Sequence, residues 1–198
     1  MSKTVFFIRH GYALHNDLYW IMGKKAYSDY TDTPLLHKGY TQADNCRKKF
    51  KNELENVELV LVSPLTRTLQ TAVTIFGEST FTRSKIRALD CLMEYPQGGP
   101  ELCNKRKTRE ILERNYPTVE FTYIPDGEVK WGKNKETIEQ LEDRIEEMIK
   151  FIKDRPETNI AVVSHSSFLS QHLYDEIYDE DNELKHCYPY GPFQYAKL

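Results

Sequence analysis

The sequence predicts an α/β fold, a three-layer sandwich with a mostly parallel central sheet flanked by helices. Two observations carry this. Four short apolar runs, at residues 5–8, 59–62, 85–89 and 160–163, are brief and rich in Val, Ile, Leu or Phe, as buried strands are. Helical stretches lie between them, and strands that alternate with helices wind into a parallel sheet covered on its faces.

Each helix has its own signal. Residues 40–54 follow Gly39 and are rich in helix formers. Residues 64–76 are expected to start with Ser63 as N-cap and Pro64 at the first position, where a missing N–H is harmless. Residues 105–114 read as a short helix ending before Pro117. In residues 136–153, Ile138, Leu141, Ile145, Met148, Ile149 and Ile152 recur at three- and four-residue intervals, and Pro156 follows. Residues 164–177 are expected to be helical, and residues 120–124 a further strand. The middle, residues 93–135, is rich in Pro and Gly and is expected to pack across the mouth of a site. With no repeat, low-complexity tract or linker, residues 1–198 read as one domain.

Composition excludes several function classes. A net charge of −3 gives no bulk attraction to nucleic acid or an anionic membrane, so neither is expected as a partner. The N-terminal apolar run is only four residues long and meets Arg9 and His10, so no signal peptide is read, and no run reaches the ~20 residues of a membrane span. A cytoplasmic location is expected. Cys46, Cys91, Cys103 and Cys187 are widely spaced without a C-x-x-C, which favours idle thiols over disulfides or zinc.

Three of the apolar runs are followed by chemically related residues. Phe6-Phe7-Ile8 leads into Arg9-His10, Leu61-Val62 into Ser63-Pro64 and then Arg67, and Val162-Val163 into Ser164-His165. Open α/β sheets bind ligands beyond the carboxyl ends of their strands. Parallel neighbours would therefore gather two Arg and two His at one edge. Gathered cations repel unless an anion pairs with them, and the planar donors of Arg match phosphate oxygens. Helices starting near Ser63 and Ser164 are expected to aim free N–H groups at the same spot. A neutral imidazole adds a nucleophile able to carry a phosphoryl group. A lone His is more often structural; His and Arg at three strand ends together read as a phosphate site.

At these residues the chain resembles the histidine phosphatase superfamily, in its phosphoglycerate-mutase-like branch 1. Arg9-His10-Gly11 matches the defining tripeptide, and Asn16 falls at a phosphate-contacting Asn. Asp32-Thr33-Pro34-Leu35 with Gly39 and Gln42-Ala43, then Ser63-Pro64-Leu65-x-Arg67-x-x-Gln70-Thr71-Ala72, Leu92-Met93-Glu94 and Val162-Val163-Ser164-His165 follow in family order. The resemblance implies a phosphoglycerate mutase-like fold. It implies that His10 becomes phosphohistidine, that Arg9, Asn16, Arg67, His165 and Ser166 hold the phosphate, and that Glu94 is the acid–base group. It also implies that His10 donates one ring N–H to a backbone carbonyl. The chain is thus expected to be a metal-independent phosphomonoester hydrolase without cofactor, acting on a small phosphorylated substrate. Phosphoglycerate-mutase-type transfer and a weakly catalytic phospho-ligand-binding protein are the alternatives. Tyr12-Ala13 in place of Glu-Ser, Leu36 in place of Thr and Ser166 in place of Gly depart from the pattern and argue against the glycolytic mutases.

Two features stand apart. Gly127-x-x-x-x-Gly132-Lys133-Asn134 nearly spells a phosphate-binding P-loop, but Asn134 replaces the magnesium-binding Ser/Thr, so a surface turn is expected. The Lys105-Arg106-Lys107-x-Arg109 cluster reads as an exposed helix face, or as a grip for the extra phosphates of a polyphosphorylated substrate. The acidic run 175–183 reads as a solvated face.

Overall fold

The computed structural model describes residues 3–77, 85–127, 129, 131–172 and 193–195. Among them, six strands hydrogen-bond into one sheet: β1 (Thr4–Arg9), β2 (Leu59–Val62), β3 (Lys85–Ala88), β4 (Val119–Glu120), β5 (Asn159–Ser164) and β6 (Phe193–Tyr195). Their order is β4-β3-β2-β5-β1-β6, with only β6 antiparallel to its neighbour.

Strand alternation makes the three layers, because successive side chains point to opposite faces. Phe6, Ile8, Val60, Val62, Ala161 and Val163 pack on one side with α3 (His37–Lys49), α5 (Thr66–Phe76) and α6 (Arg109–Asn115). Val5, Phe7, Leu59, Leu61, Ile160 and Val162 pack on the other with α7 (Ile138–Lys153) and α8 (Ser166–His172). Of the apolar stripe expected in the sequence, Leu141, Ile145, Met148 and Ile152 form the buried face of α7, Ile149 is partly buried, and Ile138, at the helix start, is exposed. Thr137 caps this helix through Gln140 N, and Gln140 returns the bond to Thr137 N. Among the described residues no helix is long and apolar enough to cross a membrane.

Several boundaries differ from the sequence reading. Residues 40–54 divide into α3 and α4 (Lys51–Leu54) at Phe50, which leaves the helical region at φ −110°, ψ 29°. The helix expected from Pro64 starts at Thr66 with Leu65 extended before it, so Ser63 is not its cap. The helix expected at 105–114 runs Arg109–Asn115 behind Thr108, and the strand expected at 120–124 is the shorter β4. Ser164 closes β5, so α8 begins at Ser166; the rest of 164–177 lies outside the described residues, as do Cys187 and the acidic run. Unforeseen were α1 (Leu14–Met22) and α2 (Lys25–Ser28). His15 is the one residue of α1 that is buried, so burial has not imposed the apolar stripe of a core helix on its sequence.

Candidate active site

The backbone ladder assembles the site. β5 lies between β1 and β2, with Arg9 opposite Ser164 and Val62 opposite Val163. The chain stays tied as it leaves the strands: His10 N donates to Ser164 O and Ser63 N to Val163 O, each at 3.0 Å. His10, Ser63 and His165 therefore emerge side by side at one carboxyl edge.

The His10 ring is oriented and its tautomer fixed. Nδ1 lies 2.7 Å from the Gly11 carbonyl, which can only accept, so Nδ1 carries the proton and Nε2 the lone pair. Nε2 in turn accepts from Arg67 Nε at 3.3 Å. The His165 ring stands edge-on to His10 at 5.1 Å between centroids. Its Nε2 is 2.8 Å from Ser63 Oγ, and its buried Nδ1 has no hydrogen-bond partner among the described residues. Burial, then the charges of Arg67 and Arg9, hold His10 well below the usual histidine range, against a weaker opposing bond to Gly11. Burial and Arg67 act likewise on His165. Both rings are neutral at neutral pH, the state a nitrogen nucleophile needs.

Arg67 is buried in the first turn of α5. Its Nη1 donates to Cys103 O at 2.8 Å and its Nη2 to Asn104 Oδ1 at 3.0 Å, which leaves Nε aimed at His10. The middle segment thus does reach the site, through the short 3₁₀ turn Leu102–Asn104. Arg9 ends β1, close enough for its charge to act on His10, His15 and His165.

Glu94 is fastened to α8. Its Oε1 accepts from Tyr95 N and Phe168 N, both at 2.9 Å, and its Oε2 from Ser167 N at 3.4 Å. Burial pushes its carboxyl up, opposed by the Arg67 charge and by these bonds. This corrects the expectation that two helix N-termini lie open to an anion. Glu94 occupies the first turn of α8. Asp32 occupies that of α5, accepting from Thr66 N at 2.7 Å and Thr66 Oγ1 at 2.6 Å. Cationic attraction in the site therefore rests on the two Arg side chains.

Asn16 sits in the first turn of α1, its Oδ1 accepting from Ala13 N at 2.9 Å, which leaves its side-chain N–H groups to turn elsewhere. Ser166 opens α8 directly after His165. His15 joins the cluster at 5.9 Å from the His10 ring, with Nδ1 bonded to Thr33 Oγ1; burial, then Arg67 and Arg9, lower its pKa to about 2.

The supporting residues escaped the sequence reading as roles, although several stood in the matched motifs. A Cβ on Gly11 would meet Gly39 O at 2.4 Å, and one on Gly39 would meet Tyr12 O at 2.3 Å, so both glycines are needed for close approach. Gly11 N donates to Thr71 Oγ1, Tyr12 N to Gln42 Oε1 and Leu35 N to Gln70 Oε1. Arg144 donates to the carbonyls of Cys91 and Met93, and Ser164 Oγ to that of Leu92, which together hold the segment before Glu94. A lone Arg on the polar side of a helix carries no sequence signal for this.

The two features set apart resolve differently. Arg106 Nε and Nη2 bind the Asp90 carboxylate and the side chain is 4% exposed, so it cannot grip a substrate phosphate. Lys107 Nζ donates to Thr66 Oγ1 at 2.9 Å and lies 3.4 Å from Asp32 Oδ2, while Arg109 pairs with Glu113. Arg106, Lys107 and Arg109 are thus each paired with residues outside the cluster, and since α6 starts only at Arg109 the cluster is not one exposed helix face. The near P-loop does not lead into a helix, since α7 starts only at Ile138. Gly132 O accepts from Gly99 N and Trp131 Nε1 donates to Gly99 O, which ties this stretch to residues 97–99; residues 128 and 130 lie outside the described residues. Among the described residues no group of three or more His, Cys, Asp or Glu is placed to hold a metal ion. Cys46, Cys91 and Cys103 are buried thiols, with burial pushing Cys91 up to about 12 and Cys103 to about 11.

Comparison with known proteins bears on the family and the fold. The sequence profile of the histidine phosphatase superfamily (branch 1) matches residues 5–185. A phosphoglycerate mutase-like protein of Arabidopsis thaliana is 35% identical over 199 residues, covering 84% of this chain and 72% of that protein. Among solved structures, the ecdysone phosphate phosphatase of Bombix mori, in complex with tungstate, superposes with a TM-score of 0.62 at 18% identity, covering 93% of this chain and 82% of that one. The alpha-ribazole phosphatase of Shigella flexneri gives 0.56 at 24% identity, covering 88% and 79%. At such identities these two structures speak for the fold.

Proposed function

This chain belongs to the histidine phosphatase superfamily, branch 1, and from that membership we propose that it hydrolyses phosphomonoesters through a phosphohistidine at His10, without a metal. The observation that carries the reading is the His10 ring: Nδ1 is locked onto Gly11 O, and Nε2 keeps its lone pair beside Arg67. In the first step Nε2 attacks phosphorus, the ester P–O bond breaks, and the departing oxygen takes the Glu94 proton. In the second, water attacks phosphorus and gives its proton to Glu94, the P–N bond breaks, and its electron pair returns to Nε2. Ester and water become alcohol and inorganic phosphate. Arg9, Arg67, Asn16 and Ser166 donate to the phosphate oxygens, and so does His165 through Nδ1–H, with the Ser63 hydroxyl donating to its Nε2. The raised carboxyl of Glu94 supports its part as proton donor.

Rapid quenching with a labelled aryl phosphate tests this. The wild type should yield an acid-labile, alkali-stable phosphoprotein in the presence of EDTA, and His10→Ala should yield none and lose about 10³-fold or more in turnover. A His10→Ala variant within tenfold of wild type refutes the assignment. One phosphate released per ester consumed, unchanged by added acceptor alcohol, separates hydrolysis from mutase-type transfer.

A further inference from the structure

An unbroken series of rings leads from the nucleophile to the surface. From His10 the centroids step 5.9 Å to His15, 5.8 Å to Tyr27, 5.4 Å to Tyr19 and 6.3 Å to Trp20. Tyr27 and Tyr19 are stacked, with 17° between their planes, and the other steps are edge-to-face. Helical spacing explains the direction. Residues four apart share a face, so Tyr19 lies one turn beyond His15, and Trp20 one turn beyond Asn16. At 1.5 Å per residue the second pair stands about 6 Å further out than the first, roughly one ring's width. Tyr27, on α2, belongs to the same series, and α2 packs against the Leu102–Asn104 turn that holds Arg67.

Trp20 is 82% exposed and Tyr19 40% exposed, while the inner rings His15 and Tyr27 are buried and half-buried. The ring series thus runs from the buried nucleophile, in steps of 5.4–6.3 Å, to an exposed indole. It is also uncharged, since His15 stays neutral down to about pH 2. A leaving group bearing a carboxylate or second phosphate would find no charge partner among these four rings. A planar or apolar one would find faces and edges to pack on.

Resting on the phosphatase reading above, we propose that Tyr27, Tyr19 and Trp20 form the subsite for the alcohol portion of the substrate, and that this portion is an uncharged aromatic or polycyclic apolar group. Departure of the alcohol past Glu94 would carry it along these rings.

The test compares 2-naphthyl phosphate with glycerol phosphate on wild type, Tyr27→Ala, Tyr27→Phe and Trp20→Ala, reading the ratio of the two KM values. Tyr27→Ala should shift that ratio about tenfold against the naphthyl ester, which is the size of one lost aromatic contact. Trp20→Ala, a change at an exposed position with little risk to folding, should shift it about threefold. Tyr27→Phe should keep the wild-type ratio, because the face and not the hydroxyl is used. Ratios within twofold of wild type in both alanine variants overturn the subsite and leave the phosphatase reading standing. A wild type that hydrolyses neither ester overturns both.

Discussion

The strand-end cradle and the α1–α2 arm both border the reacting centre, yet they are held by different physics. In the cradle, His10, Arg67 and His165 are buried, and parallel β-sheet register fixes their spacing. Arg67 spends three donors on His10, Cys103 and Asn104. In the arm, ring contacts replace the ladder, and side chains such as Trp20 and Ile21 stay largely exposed. Under the proposed reaction, the cradle suits the group common to every substrate, the phosphate. The arm suits a part that varies from one substrate to another.

The sharpest way to break this contrast is at Arg67. Arg67→Lys keeps a charge but loses the fork that joins Cys103 O, Asn104 Oδ1 and His10, and kcat/KM should fall about 10²-fold for every ester alike. A loss that depends on the alcohol would show that cradle and arm are not separate. Next is Gly11→Ala, whose Cβ cannot coexist with Gly39 O at 2.4 Å. The backbone must shift, and thermal denaturation should show about 2–3 kcal/mol of destabilisation.

Acid should destabilise the fold through buried imidazoles of both regions, His10 and His165 in the cradle and His15 in the arm. His10, His15 and His165 have lowered pKa values in the fold and ordinary ones near 6.5 when unfolded. As pH falls below that value the unfolded chain binds protons the folded chain refuses, so stability drops. Glu94, raised in the fold, acts oppositely: the folded chain keeps its proton above the ordinary range near 4.5, and the stability from it is lost as pH rises. Three groups against one should lower Tm on going from about pH 7 to about pH 5. His165→Asn should make that decline shallower; an unchanged slope would place the loss elsewhere. The smallest effect belongs to the arm: Trp20→Ala should change unfolding free energy by no more than about 0.5 kcal/mol, measured by denaturant titration.

Much of this could be read from residue order. Short aliphatic strands and the stripe of α7 announced the sheet and one covering layer, because burial imposes periods of 2 and 3.6 on the sequence. That His10, Arg67 and His165 come together was legible because each follows a strand at its carboxyl end. The start of α5 was misjudged because Pro64 suits a helix start, whereas Asp32, over thirty residues away, supplies the cap at Thr66. The polyphosphate grip at Arg106 failed for a similar reason, since Asp90 had already claimed its guanidinium.

The sequence by itself determined which side chains could do phosphate chemistry and that strands would carry them to one edge, since both follow from local pattern and residue type. Only the tertiary structure decided how they are used: that Arg67 Nε donates to His10 Nε2, and that carboxylates rather than an anion fill two helix ends. Those outcomes depend on partners distant in the chain, and no local pattern encodes a hydrogen bond whose other half is supplied by the fold.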